Sequence, residues 1–147
     1  MKIFLGVFLV MLLGSSPGWA VLGEYENSVA TDQQHMHAQL RGITHAAYSV
    51  QQLTSPDGKT IKEYVAPSGK VFGVSWQGSA MPDLRQLLGS YFEQLQQASR
   101  SRKKRGGPFV VRTKDFVLVS GGHMRWYHGA AYVPSLLPAN VTAEVVR

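Results

Sequence analysis

The chain has 147 residues, of which 44% are hydrophobic, and it contains no cysteine. This composition is typical of one globular domain, and the lack of cysteine excludes disulfides, a thiol nucleophile and a lipid-modified cysteine. Fifteen Lys and Arg residues outnumber nine Asp and Glu residues, for a net charge of +6. Five of these cations are neighbours: Arg100, Arg102, Lys103, Lys104 and Arg105. The basic character therefore belongs to one local segment.

The first 20 residues have the pattern of an export signal. Lys2 precedes an almost wholly apolar run over residues 3–13. Gly18 and Ala20 then place small residues three before and one before a cut between Ala20 and Val21. We therefore predict a cleaved signal peptide at residues 1–20.

An uncleaved membrane anchor is the alternative, because no charge occurs between Lys2 and Glu24. Gly, Ser and Pro at residues 14–18 interrupt the apolar run and favour cleavage. The expected product is one globular domain at residues 21–147, located in the periplasm or secreted, and not a lipoprotein.

The first predicted elements are a short helix and an antiparallel meander. Thr31 or Asp32 is a suitable N-cap for a helix that ends near Arg41, with Gly42 as its stop. The strands of the meander are predicted at residues 48–54, 60–66 and 70–77. Turns are predicted at residues 55–58 and 67–69, where Pro and Gly supply the required backbone angles.

The clearest predicted helix covers about residues 82–98. Pro82 suits a first helical position, and Asp83 favours the positive end of the helix dipole. Its apolar side chains recur at steps of three and four: Leu84, Leu87, Leu88, Tyr91, Phe92 and Leu95. Such a stripe has to be buried, and a sheet face is the available partner.

A basic loop at residues 99–108 leads to a second predicted meander. Its strands are expected at residues 109–112, 115–120, 123–128 and 130–133, and the first two can also form one continuous strand. Gly121 and Gly122 are predicted as a two-residue hairpin turn. Residues 140–147 are expected to form a short helix or a loose tail. The fold class is α+β: an antiparallel meander, one main amphipathic helix and a second antiparallel meander.

The basic loop is the first candidate site. Its cations, Arg100, Arg102, Lys103, Lys104 and Arg105, raise the local concentration of anions such as lipid head groups, lipopolysaccharide or an acidic protein. The loop has no aromatic side chain on which bases stack, so nucleic acid is not the expected partner. The alternative is a solvated connection without a ligand.

The hairpin at residues 123–128 is the second candidate. Strand alternation puts His123, Arg125 and Tyr127 on one face as a recognition surface. Met124, Trp126 and His128 then lie on the other face, which suits the core. The alternative is that the helix and loops cover both faces, which leaves no recognition surface.

An enzyme is the alternative for the same hairpin, as a small-ligand or metal-dependent catalyst using Ser120 to His128. Ser120, His123 and Asp115 are close in sequence, but Ser120 lacks the Gly-x-Ser-x-Gly context of a nucleophile elbow. His35 and His37 share a metal only if they lie on a strand. We predict no catalytic residue, metal or cofactor.

Several motifs resemble one family. They are Glu63-Tyr64-Val65, Val71-Phe72, Trp76-Gln77-Gly78, Pro82-Asp83-Leu84-Arg85-Gln86-Leu87-Leu88-Gly89, Ser120-Gly121-Gly122-His123-Met124-Arg125 and Ala131-Tyr132-Val133-Pro134-Ser135-Leu136-Leu137-Pro138. Together they are similar to small exported Gram-negative bacterial proteins classified as domain of unknown function 2844. The resemblance covers nearly the whole chain after residue 20. It implies a periplasmic or secreted protein and implies no activity.

The functional expectation is a non-enzymatic binding module. Its expected partner is an envelope protein or an anionic envelope component, such as a lipid or polysaccharide. The cations from Arg100 to Arg105 are where this chain departs from the family pattern, so a function built on them need not be shared by the family.

Overall fold

The computed structural model describes residues 21–25, 37–102 and 106–147. Seven strands form one sheet: β1 (Gln39–Thr44), β2 (Ser49–Thr54), β3 (Thr60–Val65), β4 (Val71–Gly78), β5 (Phe109–Arg112), β6 (Val117–His123) and β7 (Trp126–Tyr132). All neighbouring strands are antiparallel, in the order β1-β2-β3-β4-β7-β6-β5. Because β4 pairs with β7, the two predicted meanders join into one sheet.

Several predictions fall outside the described residues. They are the signal peptide at residues 1–20, the helix start at Thr31 or Asp32, His35, and the cations Lys103, Lys104 and Arg105.

The predicted helix before Gly42 is wrong at its C-terminal end. Residues Gln39–Thr44 are β1, which pairs with β2 and places Gly42 opposite Gln51. Gly42 is therefore a strand residue and not a helix stop. The local sequence lacks this information, because β1 is defined by its cross-strand partner.

The helical layer follows β4, as predicted, but in two pieces. Helix α1 (Leu84–Leu88) and helix α2 (Phe92–Arg100) are separated by a 3-10 turn at Gly89–Tyr91. Asp83 is the N-cap, and its carboxylate accepts hydrogen bonds from the Arg85 and Gln86 amides at 2.9 and 3.2 Å. The break lies at Gly89, with φ +52°, where a Cβ would collide with Val21.

The predicted apolar stripe faces the sheet. Leu87, Leu88 and Leu95 are buried, with Leu84, Tyr91 and Phe92 packed around them. The opposing sheet side chains are Leu53, Ile61, Val74, Trp76, Val111, Leu118 and Ala131. Leu22 joins this core, and its amide donates to the Leu87 carbonyl at 3.2 Å. One helical layer on an antiparallel sheet confirms the α+β fold.

The C-terminal segment covers part of the opposite sheet face. Val50, Tyr64, Phe72 and Val146 form its buried core, with Ile43, Tyr48, Ala130, Tyr132, Leu136, Leu137, Val141 and Val145 packed around it. The Tyr64 hydroxyl donates to the Arg147 carbonyl at 2.6 Å and accepts from the Arg147 amide at 3.0 Å. Residues 140–147 are therefore a docked segment with one 3-10 turn, Ala143–Val145, and not a loose tail.

Candidate functional site

The turn between β6 and β7 is not where the sequence predicts it. His123 pairs with Trp126, so the two loop residues are Met124 and Arg125, with φ of +51° and +62°. A two-residue loop with both φ values positive has the backbone of a type I′ hairpin. Gly121 and Gly122 lie inside β6 instead, so the predicted glycine turn is wrong.

The two glycines accommodate aromatic rings from β7. Gly122 pairs with Tyr127, and a Cβ on Gly122 would lie 3.1 Å from Tyr127 Cδ1. Gly121 pairs with His128, and its Cβ would lie 3.0 Å from His128 Nε2. The rings thus lie across glycines on the partner strand, a recognised way of stabilising strand glycines. This steric requirement explains why the glycines are in the strand.

The predicted division of the hairpin into two faces is also wrong. The turn interrupts the strand alternation, so His123 and Trp126 share one face and Gly122 and Tyr127 share the other. Met124, Trp126 and His128, expected in the core, are exposed. Met124 is 86% exposed and Trp126 is 48% exposed. We call residues 123–127 the hairpin tip.

A groove beside the hairpin tip joins the two predicted sites. It is shallow and open to solvent, with a volume of about 350 Å³, and its lining includes Arg102, His123, Arg125 and Tyr127. Phe109, Met81 and Met124 supply apolar lining. The fold therefore brings together four residues that the sequence assigned to separate sites.

The other predicted site residues are elsewhere. Arg100 ends α2, is exposed and does not line the groove. Lys103, Lys104 and Arg105 lie outside the described residues, and so does Ala20. Val21 packs beside Gly89.

Arg102 is held at the groove wall by three contacts. Its Nη2 donates to the Gly106 and Gly107 carbonyls at 2.9 and 3.1 Å. Its guanidinium lies 5.1 Å from the centre of the Phe109 ring, within cation–π range. These contacts pre-position the Arg102 charge beside the groove, which reduces the entropy that a ligand contact would cost.

The Lys, Arg, Asp and Glu residues that line the groove in the described part of the chain are Arg102 and Arg125, so its lining includes no carboxylate. From Gln94 to Ala143 the sequence contains one carboxylate, Asp115. It contains eight Lys and Arg residues: Arg100, Arg102, Lys103, Lys104, Arg105, Arg112, Lys114 and Arg125. Arg112, Lys114 and Asp115 all lie at the end of β5 and β6 that is away from the groove, about 20 Å from it at the usual rise per residue. The groove is therefore electrostatically suited to anions.

Sequence analysis missed the apolar part of this groove. Met81 and Phe109 line it from the segment before α1 and from β5, far from the hairpin in sequence. They line the groove because the fold brings distant parts of the chain next to β6. No local sequence motif encodes that arrangement. The signal that was available concerns the charge of the groove: Asp115 is the single carboxylate from Gln94 to Ala143.

The alternative nucleophile is not assembled. Ser120 pairs with Gly129, so its side chain lies on the sheet face opposite to that of His128. The Ser120 hydroxyl donates to the backbone carbonyl oxygen of His128 at 3.4 Å. This contact does not involve the imidazole ring. Ser120 and His128 therefore do not form the nucleophile–base pair that acyl transfer requires.

No metal site is apparent where the structure can be read. In the described ranges, no group of three or more His, Asp or Glu side chains is placed to hold an ion. His37 precedes β1 with φ +47° and is not part of a strand, which removes the condition under which a His-x-His pair shares a metal.

Two titratable groups with shifted pKa values lie away from the groove. Burial raises the pKa of the Tyr91 phenol, and the nearby charges of Asp115 and Glu24 raise it further. A hydrogen bond from the Ser55 hydroxyl lowers the pKa of Asp57, with help from the Lys59 amide. Tyr91 packs on Phe116, and Asp57 belongs to the β2–β3 turn. Both shifts reflect structural contacts.

A second cavity lies under the start of α1. It measures about 160 Å³ and includes Glu63, which is fully buried, together with Lys59, Asp83 and Gln86. Glu63 lies on the same face of β3 as Ile61 and Val65, so its inward position follows from strand periodicity. The burial of this carboxyl group is not among the predictions from the sequence.

None of the helices in the described part of the chain combines the length and apolar character needed to cross a bilayer. Comparison with the curated proteins gives no match, and neither does comparison with the solved structures. Comparison with protein families gives a match over residues 18–146, nearly the whole chain. The resemblance predicted from the motifs is thereby confirmed, and the chain belongs to the family described as Protein of unknown function (DUF2844).

Proposed function

We propose that this protein is an exported binding module, not an enzyme, and that its groove holds the anionic group of an envelope component. The observation that carries the proposal is the convergence of Arg102 with His123, Arg125 and Tyr127 around one groove. Guanidinium groups bind phosphate and carboxylate through charge-assisted hydrogen bonds. The ligand class is therefore a phosphate-bearing or carboxylate-bearing lipid head group or polysaccharide.

The lining of the groove supports a ligand that also has an apolar part. Phe109, Tyr127 and Met81 stand beside the cations. Aromatic and thioether side chains contact the carbon skeleton of a ligand, while the guanidinium groups contact its anion. A small inorganic ion would use only half of this surface.

The exported location remains a proposal that rests on the pattern of residues 1–20. It is supported by Leu22, which is only 1% exposed two residues after the predicted cut. Gly23 and Glu24 also exchange backbone hydrogen bonds with Val71, at 2.8 and 2.9 Å. The residues just after the predicted cut therefore belong to the folded domain, as the proposal requires. N-terminal sequencing of the protein from the periplasmic fraction should begin at Val21, and retention of residue 1 would contradict cleavage.

The groove is tested by titrating the protein with glycerol phosphate while two-dimensional NMR follows each backbone amide. We expect the amides of Arg102, His123, Arg125 and Tyr127 to shift at low salt. The shifts should shrink as salt is added, because salt screens the attraction. Uncharged glycerol should leave the spectrum unchanged.

The variant pair for this test is Arg125→Gln and Lys114→Gln. Both remove one positive charge from an exposed site, but Arg125 lines the groove and Lys114 lies in the β5–β6 turn. Arg125→Gln should weaken binding about tenfold, the loss typical of one charged hydrogen bond. Lys114→Gln should have little effect. Equal effects of the two variants would show that net charge, and not the groove, attracts the anion.

A further inference from the structure

The turn at the hairpin tip is built from residues that disfavour its backbone. Met124 and Arg125 both have positive φ, in the left-handed region where Asn and Gly are the preferred residues. Observed strain of this kind indicates that the side chains at the position have a role that outweighs the lost stability. The question is therefore what a Met and an Arg do at the end of a hairpin.

The hairpin tip presents apolar surface on every side. Met124 projects from the turn and is 86% exposed. Trp126 and Tyr127 lie on opposite faces of the hairpin, each more than one third exposed. Their exposure leaves a thioether and two aromatic rings in water beside the Arg125 guanidinium. Several large apolar side chains exposed side by side are characteristic of an interaction site.

This combination matches the chemistry of a bilayer interface. Trp and Tyr concentrate where lipid head groups meet acyl chains, because each ring has an apolar body and a polar tip. Met adapts to irregular apolar surroundings. Arg side chains reach back from that depth to the phosphates. The surrounding cations add attraction to anionic lipids.

We propose that the hairpin tip inserts Met124 and Trp126 into the interface of an anionic bilayer while Arg102 and Arg125 contact lipid phosphates. This inference rests on the proposed function, since it assigns the anionic group in the groove to a lipid head group. An anionic bilayer matches both features of this surface. Its apolar interior accommodates the side chains at the turn, and its negatively charged head groups bind the cations of the groove beside them.

A protein partner would be expected to use a different surface. Val110 and Val119 form an exposed cross-strand pair on the sheet face of β5 and β6, on the same side as Trp126 but nearer the base of the hairpin. A flat partner would cover this pair, whereas an inserted tip leaves it in water. A second copy of the chain would bring Arg102 and Arg125 against the same charges and be repelled.

The test measures partitioning of the exported protein onto vesicles of phosphatidylethanolamine, with and without phosphatidylglycerol. Met124→Ser should weaken binding to the anionic vesicles roughly tenfold, because it removes one large apolar side chain from the inserted set. Val110→Ser is the matched control, since it makes another exposed apolar residue of the same sheet polar, and it should have little effect. Binding to vesicles without phosphatidylglycerol should be far weaker for all variants.

Tryptophan fluorescence reports insertion directly. Trp76 is buried in the core and Trp126 is exposed, so binding should shift the Trp126 emission to shorter wavelength. Trp126→Phe should remove that shift while the protein still binds. Unchanged emission of the bound protein, or a larger loss with Val110→Ser than with Met124→Ser, would overturn the proposed insertion.

The two proposals fail in distinguishable ways. If Arg125→Gln weakens glycerol phosphate binding but Met124→Ser leaves vesicle binding unchanged, the anion groove is supported and insertion is rejected. If glycerol phosphate causes no shift at the groove, the proposed function is rejected, and this inference is rejected with it because the lipid phosphate has no binding site.

Discussion

Two hairpin turns of the same sheet are built on opposite principles. The β2–β3 turn uses residues suited to its backbone: Gly58 takes φ +81°, and the Ser55 hydroxyl donates to the Asp57 carboxylate. The β6–β7 turn places Met124 and Arg125 at positive φ with their side chains in solvent. In the first turn, local chemistry stabilises the fold. In the second, the residues are not those that the backbone prefers, which is the basis of our proposal that their side chains have a role.

This difference distinguishes the two halves of the sheet. Strands β2 to β4 are covered by helices on one face and by the C-terminal segment on the other. The end of the β6–β7 hairpin has neither cover, and it carries Met124, Trp126 and Tyr127 exposed. A departure from preferred turn residues is most informative at such an uncovered position, since packing does not explain it.

The largest expected effect concerns the strand that supports the hairpin tip. Gly129 on β7 lies under the Trp76 ring, and a Cβ there would overlap the ring atoms. Gly129→Ala should destabilise the fold by about 2 to 3 kcal/mol, because the rigid core ring has to move. Urea unfolding measures the change. Val119→Ala, on the exposed face of the same hairpin, is the control and should cost less than about 1 kcal/mol. Similar losses for both would mean that the hairpin is loosely packed.

An exchange of turn residues tests the comparison itself. Replacing Met124 by Asn and Arg125 by Gly gives the turn its preferred residues and should stabilise the fold by about 1 to 2 kcal/mol. Thermal unfolding measures the gain. The same double variant should lose binding to anionic vesicles. A variant with unchanged or lower stability would show that the original turn is not strained.

The smallest expected effect comes from the opposite exchange in the β2–β3 turn. Gly58→Ala puts a side chain at φ +81°, and no heavy atom lies within 4 Å of the added Cβ. Only the backbone preference changes, so the loss should be about 1 kcal/mol. Vesicle binding should be unaffected. A change in vesicle binding would show that the β2–β3 turn also takes part in binding, so the two turns would no longer differ in role.

The elements predicted best from the sequence are those specified by neighbouring residues. The apolar stripe from Leu84 to Leu95 identified the helical layer, and the Pro and Gly residues located the turns of the first meander. The predicted helix was continuous, whereas the structure breaks it at Gly89. At that break Gly89 lies against Val21, and this contact has no local signature in the sequence.

The candidate site was predicted in its components but not in its arrangement. The basic segment and the hairpin residues were identified separately from charge and residue type. Their convergence requires Arg102 to fold back over Phe109, beside β6, which is a tertiary contact. The glycine pair was misleading, since Gly121 and Gly122 have the composition of a turn but accommodate His128 and Tyr127. Here the packing of the two rings against the glycines determines the position of the glycines, and their preference for turns does not.

The pairing of β4 with β7 also affects how the chain folds. Gly73 pairs across the sheet with Tyr132, so β4 has an open edge until almost the entire chain is present. Contacts between residues so distant in sequence slow folding. An apolar strand that is unpaired until β7 forms is prone to aggregate. We expect folding in milliseconds to seconds, after completion of the chain. If the chain is exported as proposed, late folding would keep it unfolded during passage through a translocation channel.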